Sequence, residues 1–208
     1  MTEQMLDALR EDMEKDMSPK RFRHTAEVEK MAVRLGKLYF GEDEDTLMKL
    51  RTAALLHDMT KEYTSELHIF VMEKKGITLT REDMLAPKTF HARTAAALIP
   101  DEYPELAHPD VVTAVRYHTT GRADMTLMEK IIYLADYIDM SRTFDDCVRL
   151  REYFFGKNVE EMTDSERLCH LDDTLVLSFD LTIKGLVEEG RVVSADTFAA
   201  RNYLICSK

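Results

Sequence analysis

The sequence is poor in cysteine, glycine and proline, the residues typical of disulfide-bonded or turn-rich proteins. Its three cysteines, Cys147, Cys169 and Cys206, are widely spaced and form no Cys-x-x-Cys pair. This pattern argues against a disulfide framework or a zinc knuckle and favours a reducing cytoplasm. Seven glycines and five prolines are few for 208 residues, and their scarcity favours helices over a β architecture with many turns.

A long apolar run and an excess of positive charge are also lacking. No segment is long enough to span a bilayer, and Met1 to Asp16 mixes both charges without the apolar core of a signal peptide. The formal net charge of -11 disfavours broad contact with nucleic acid or anionic lipid. We therefore expect a cytoplasmic protein with no nucleic-acid and no membrane partner. A small phosphate-bearing substrate is compatible with this charge if cations are gathered locally.

Helical periodicity dominates what is present. Apolar residues recur at helical spacing along nearly the whole chain, and no segment alternates long enough to compel a strand. Ser18-Pro19 predicts the start of a helix and Gly76 the end of another. We predict an all-α, single-domain helical bundle, with an N-terminal helix in residues 1–17, a core in 18–142 and C-terminal helices packed on it in 143–208. Helices are predicted near residues 19–38, 65–75, 91–99, 109–118, 127–140, 164–189 and 195–205, with two more that open at Leu6 and after Gly41.

Five ionisable side chains fall on the apolar faces of these predicted helices. They are His24, His57, His91, His118 and Asp136. Any one of them alone is most simply a core residue hydrogen-bonded to the backbone. A carboxylate amid isoleucine, leucine and alanine, however, demands a cation or several donors. Five buried side chains on five helices would each need a hydrogen-bond or ion-pair partner of its own, whereas one shared metal ion provides a partner for most of them together.

Imidazole and carboxylate groups together make a mixed nitrogen and oxygen donor set. Such a set suits iron, manganese, nickel or zinc and is poor for copper(I) or calcium. An ion of this kind polarises a phosphoryl group and lowers the pKa of bound water, as hydrolysis of a phosphoester or phosphoanhydride requires. Lys61, Arg142 and Arg21 lie near the candidate ligands in sequence and could meet the phosphates; Arg122 is placed in a turn that could equally point outward.

The candidate residues stand in distinctive blocks. In chain order these are Arg21-Phe22-Arg23-His24, Leu55-Leu56-His57-Asp58-Met59-Thr60-Lys61, His91, Tyr117-His118-Thr119-Thr120-Gly121 and Leu134-Ala135-Asp136-Tyr137-Ile138. A bare His-Asp pair carries no weight, but the blocks in this order are specific. In order and spacing they resemble the HD superfamily, most closely the bacterial symmetrical bis(5′-nucleosyl)-tetraphosphatases, over about residues 18 to 142. Two positions depart from the family pattern: Ala92-Arg93 follows His91 where glycine is common, and Phe22-Arg23 replaces an aromatic-acidic pair.

The resemblance implies hydrolysis of diadenosine tetraphosphate to two ADP, with iron as the metal. It implies that His24, His57, Asp58 and Asp136 bind the metal, and that Asp58, Lys61, His91 and His118 act in catalysis. The implied contacts to the dinucleoside polyphosphate or to ADP are Arg21, His24, Asp58, Lys61, His91, His118, Asp124, Met125, Asp136 and Arg142. Which histidine is the general acid stays open.

Two alternative functions remain at this point. The first is another HD phosphohydrolase that acts on mononucleotides; the block from His118 with Arg122, Asp124 and Met125 favours the dinucleoside polyphosphate group instead. The second is a non-catalytic HD domain that binds a nucleotide around a structural metal. A structural site would close its coordination sphere, whereas here histidines and lysine are in surplus around the ligands. Self-association into a homodimer is left open.

Overall fold

The computed structural model describes residues 1–207, and that part of the chain contains eleven α-helices and no strand. The helices are α1 (Glu3–Asp16), α2 (Pro19–Phe40), α3 (Glu44–Leu56), α4 (Ser65–Lys74), α5 (Arg81–Met84), α6 (Phe90–Glu102), α7 (Pro109–Tyr117), α8 (Leu127–Ile138), α9 (Asp145–Phe155), α10 (Asp164–Glu188) and α11 (Ala195–Cys206). Short 3₁₀ turns at Pro87–Thr89 and Pro104–Leu106 flank α6. The predicted all-α class is confirmed.

The centre of the bundle is built from α2, α3, α7 and α8. Helix α2 packs on α3 and α8, both of which also contact α7, while α6 lies against α7 and α4 against α6. Helices α9 and α10 pack beside α8, and α11 covers α10. None of the helices within residues 1–207 is both long and apolar enough to cross a membrane.

Side-chain caps fix where two helices of the central bundle, α2 and α8, begin. Ser18 caps α2 by accepting from the Arg21 backbone N–H, and Glu62 in turn accepts from both the N–H and the hydroxyl of Ser18. Thr126 and Glu129 form a capping box at the start of α8. The Glu62 contact ties the first turn of α2 to the loop after α3.

Most predicted helices are confirmed, with ends shifted by a few residues. The predicted start at Ser18-Pro19 is observed, and Gly76 ends α4 with a φ of 68° that favours glycine. Two helices were missed. Helix α5 has only four residues and buries none of them, so it carries no periodic signal. Helix α9 does bury Cys147, Leu150 and Phe154 at helical spacing, but charged residues separate them and no side chain caps its start.

Candidate active site

Four buried side chains from three places in the chain converge inside the central bundle. His24 lies on α2 and Asp136 on α8, while His57 and Asp58 directly follow α3. The ligand atoms of His24, His57 and Asp136 all lie within 4.8 Å of one another. Asp136 Oδ1 is 2.9 Å from His24 Nε2 and 3.8 Å from His57 Nε2, and Asp58 Oδ2 is 3.5 Å from His57 Nε2. The fold thus brings together all four residues named from the sequence as metal ligands.

Two further histidines extend this group on the side of Asp58. Asp58 Oδ1 lies 3.3 Å from His91 Nε2 on α6 and 3.7 Å from His118 Nε2 at the end of α7. The two imidazole Nε2 atoms are 3.0 Å apart. We call the set of His24, His57, Asp58, His91, His118 and Asp136 the central cluster. Its ligand atoms form two overlapping groups that share His57.

Two of the histidines are held in a single tautomer by the helices that they end. His57 Nδ1 lies 2.6 Å from the Ala54 carbonyl and His118 Nδ1 lies 2.7 Å from the Val115 carbonyl. A carbonyl oxygen can only accept, so Nδ1 carries the proton in both rings. Each Nε2 atom therefore presents a lone pair to the central cluster, as a metal-binding imidazole must.

Several polar atoms of the central cluster have no hydrogen-bond partner although they are buried. They include His24 Nε2, His57 Nε2 and Asp58 Oδ1. His24 Nε2 and Asp136 Oδ1 are close, yet they are not aligned as a hydrogen bond. Buried polar atoms without partners are costly and rare. A cation between the two imidazole nitrogens and the carboxylates would give these nitrogens a partner, so the residues present fit a metal ion.

Three cationic side chains surround the carboxylates. Arg21 Nη1 lies 2.5 Å from Asp58 Oδ2. Arg142 contacts Asp136 twice, at Oδ1 and at its backbone carbonyl, over 2.5 and 3.0 Å. Lys61 Nζ is 3.5 Å from Asp58 Oδ1. The three cations named from the sequence are therefore gathered at one place, although the protein as a whole is acidic.

The surroundings set the charge of the candidate ligands at neutral pH. Burial would lower the pKa of His24, but its carboxylate neighbours outweigh it and raise that pKa to about 9. Burial lowers the pKa of His57 to about 4. Burial alone would raise the pKa of Asp136, yet Arg142 and His24 hold it well below its usual range, and the pKa of Asp58 is likewise lowered. His57 is thus neutral and both carboxylates are ionised, the states in which these groups bind metals.

Three residues next to the central cluster were missed from the sequence. Asp139 Oδ2 lies 3.3 Å and Ser141 Oγ lies 3.2 Å from His24 Nδ1, so both orient that imidazole. Thr119 Oγ1 is 3.1 Å from the Nε2 atoms of both His91 and His118. Asp139 carried a signal, since it is a second carboxylate at the end of the apolar run of α8. Thr119 carried none beyond its place in the block that contains His118, and Ser141, which lies outside every block, carried none.

Asp124 and Met125 make their observed contacts with other parts of the protein. Asp124 accepts a hydrogen bond of 2.8 Å from the Tyr203 hydroxyl of α11, and Met125 packs in the hydrophobic core. Within the described residues, no hydrogen bond or ion pair joins either of them to the cluster. Arg122 is engaged elsewhere, in a two-pronged ion pair with the buried Glu129. The contact of Asp124 and Met125 with a nucleotide stays a prediction.

A cavity of about 450 Å³ opens beside the central cluster. Thr119 lines it and also contacts His91 and His118, so Thr119 links the wall of the cavity to the cluster. Its other walls come from α8, α9 and α10, with Tyr137, Phe144 and Thr182 among the lining residues. We call it the large cavity. Its size falls in the range of roughly 300–1,000 Å³ that is usual for small-molecule sites.

Comparison with known proteins gives the class to which this fold and site belong. The family model of the HD domain matches residues 21–141. A solved structure from Clostridium acetobutylicum, described as a predicted HD superfamily hydrolase involved in NAD metabolism, is similar with a TM-score of 0.82 and 33% identity, covering 97% of both chains. The chain therefore belongs to the HD domain family.

Curated relatives narrow this class further. A protein of Halalkalibacterium halodurans is 33% identical over 89% of both chains, and one of Bacillus subtilis is 31% identical over 93% of this chain and 94% of its own. Both are named bis(5′-nucleosyl)-tetraphosphatase, symmetrical. The protein is accordingly a phosphohydrolase of the HD family.

Proposed function

We propose that the protein hydrolyses diadenosine tetraphosphate to two ADP, with a metal ion held by His24, His57, Asp58 and Asp136. The observation that carries the proposal is the central cluster, whose buried and unpartnered nitrogen and oxygen atoms face one another beside the large cavity. The names of the curated relatives support this choice of substrate over a mononucleotide.

The donor set supports a transition metal. Two imidazoles and two carboxylates suit iron, which the family resemblance favours, and they are compatible with manganese, nickel or zinc. When bound, such an ion polarises a phosphoryl oxygen and makes water a better nucleophile at neutral pH. Asp139 and Ser141 fix the ring of His24, while backbone carbonyls fix those of His57 and His118.

The residues around the ligands supply orientation and charge. Asp58 Oδ1 has no hydrogen-bond partner and faces the side of Lys61 and His91, so it can accept a hydrogen bond from the attacking water. Lys61 and Arg142 can donate to phosphoryl oxygens as negative charge develops on them. Burial and the charge of Lys61 hold the pKa of His91 well below its usual range, so His91 serves as a neutral hydrogen-bonding group.

The large cavity supports a place for one half of the substrate. In this proposal one nucleoside lies between α8 and α10, and its chain of phosphates runs past Thr119 to the central cluster. The terminal phosphate of that ADP half is attacked, and the other half leaves as ADP. Because ADP is a good leaving group, catalysis needs mainly positioning and charge neutralisation rather than a strong general acid.

Product identity tests the proposal. Protein loaded with iron, or separately with manganese, is incubated with diadenosine tetraphosphate, and the products are separated by anion-exchange chromatography. We expect ADP alone, at two equivalents per substrate. Asp136→Asn should be inactive, whereas the matched control Asp172→Asn should be fully active, because Asp172 pairs with Lys130 on α8 and contacts no residue of the central cluster.

Other results would refute this substrate. ATP together with AMP would mean asymmetric cleavage, and activity confined to mononucleotides would mean a different phosphohydrolase of the same family. Tight nucleotide binding without turnover by any metal-loaded form would favour the non-catalytic alternative.

A further inference from the structure

A second cavity, of about 350 Å³, borders the central cluster on its Lys61 side. His91 lines this cavity, and its Nε2 atom is 3.1 Å from Thr119 Oγ1, which lines the large cavity. Lys88, in the 3₁₀ turn before α6, lines both cavities. We call it the small cavity. The central cluster and Lys88 therefore lie where two cavities meet.

The small cavity combines positive charge with an aromatic face. Lys61 and Lys88 both line it. Lys88 is exposed and forms no ion pair with any residue in the part of the chain described. Tyr63 also lines it, half-buried, with its ring 5.7 Å from the ring of the buried His68. Cations suit phosphates, and a partly exposed aromatic ring suits the face of a nucleobase.

We propose that the small cavity binds the second nucleoside diphosphate half of the substrate, the half that leaves as ADP, with its base against Tyr63 and its phosphates along Lys61 and Lys88. This inference rests on the proposed function. A substrate with two identical nucleosides that is cut at its centre needs a site for each half, on either side of the reacting phosphate. A volume of 350 Å³ lies at the lower end of the range of roughly 300–1,000 Å³ for small-molecule pockets.

The assignment has a consequence for specificity. Tyr63 contacts only the second nucleoside, so it should matter for diadenosine tetraphosphate and not for adenosine 5′-tetraphosphate, which has the same four phosphates and one nucleoside. The single nucleoside of the latter occupies the large cavity. Tyr63 therefore makes the protein discriminate between dinucleoside and mononucleoside polyphosphates, whereas the central cluster contacts the phosphates of both in the same way.

The test compares three variants on these two substrates. Tyr63→Ala should lower kcat/KM for diadenosine tetraphosphate by roughly tenfold, as loss of one base–aromatic stack does, and leave adenosine 5′-tetraphosphate within about twofold. Tyr63→Phe keeps the ring and should act as wild type on both. Phe70→Ala is the matched control, since Phe70 is an aromatic residue of α4 that is 54% exposed and lies outside the small cavity. A loss that is equal on both substrates, or no loss on either, would overturn the proposal.

A measurement of ADP binding distinguishes a failure of this inference from a failure of the proposed function. Calorimetric titration should count two ADP per chain for the metal-loaded wild type, and Tyr63→Ala should weaken one of the two sites by roughly tenfold and leave the other unchanged. Wild-type protein that binds two ADP but leaves diadenosine tetraphosphate intact would refute the proposed function and retain the second site. Symmetric hydrolysis by a protein that binds one ADP, with no substrate discrimination through Tyr63, would refute the second site alone.

Discussion

Gly121 is the position where the loop after His118 presses most closely on the C-terminal helices. Its φ is 64°, and a Cβ added there would lie 2.7 Å from Phe179 Cζ on α10 and 3.0 Å from Ala200 Cβ on α11. Both neighbours are fully buried, so neither can move freely. Gly121→Ala should cost about 1 kcal/mol for the left-handed backbone and about 1–3 kcal/mol for overpacking.

Gly190→Ala is a matched control for this substitution. Gly190 has nearly the same φ, 65°, but an added Cβ there meets nothing within 4 Å. The control should therefore lose only the backbone contribution, about 1 kcal/mol. For a chain of this length we expect Tm to fall by roughly 4–16 °C in Gly121→Ala and roughly 2–4 °C in Gly190→Ala.

Calorimetry or urea unfolding, with a chelator present so that no metal contributes, measures both losses. Phe179→Leu removes the ring atom that the new methyl group would meet. Its combination with Gly121→Ala should therefore fall short of additivity by about 1 kcal/mol. Equal losses in the two alanine variants, or strict additivity with Phe179→Leu, would show that the ring yields and that the steric reasoning is incorrect.

Three further predictions concern the central cluster. Asp136→Asn should strip or strongly weaken the bound metal, well beyond the roughly 10–100-fold effect of an outer residue; a wild-type metal content by elemental analysis would remove Asp136 from the ligands. Lys61→Ala should keep the metal and lower kcat by roughly 10²-fold through lost charge stabilisation; unchanged steady-state rates would assign Lys61 to the solvated surface. Metal affinity should rise about tenfold per pH unit towards pH 9, because His24, whose pKa is raised to about 9, must lose a proton on binding. His57, with its pKa lowered to about 4, should release no proton on metal binding above pH 5. Calorimetry in buffers of different ionisation enthalpy counts the protons that metal binding releases. A count of two at neutral pH would contradict these assignments.

The helices and the residues that point inward were predictable because both follow from local rules. A period of 3.6 residues places His24 and Asp136 on apolar faces, and a polar residue there requires a partner. The same rules could not supply the walls of the large cavity. Ser178 and Thr182 of α10 line it, but small polar residues on a long helix have no distinctive spacing, and only the packing of α10 beside α8 brings them there. The region after residue 142, which carried no recognisable block, therefore forms part of the candidate site.

The adjacent pair His57-Asp58 lies where helix α3 gives way to tighter turns. Helix α3 ends at Leu56, and the backbone then tightens into turns of three residues, with Met59 N donating to Leu56 O over 3.1 Å and Lys61 N to Asp58 O over 2.9 Å. Residues three apart lie above one another in such turns, which stacks Lys61 on Asp58 with 3.5 Å between Nζ and Oδ1. The three-residue spacing between Asp58 and Lys61 in the His-Asp-x-x-Lys block therefore suits their contact: a lysine moved by one position along these turns would leave the face that Asp58 occupies.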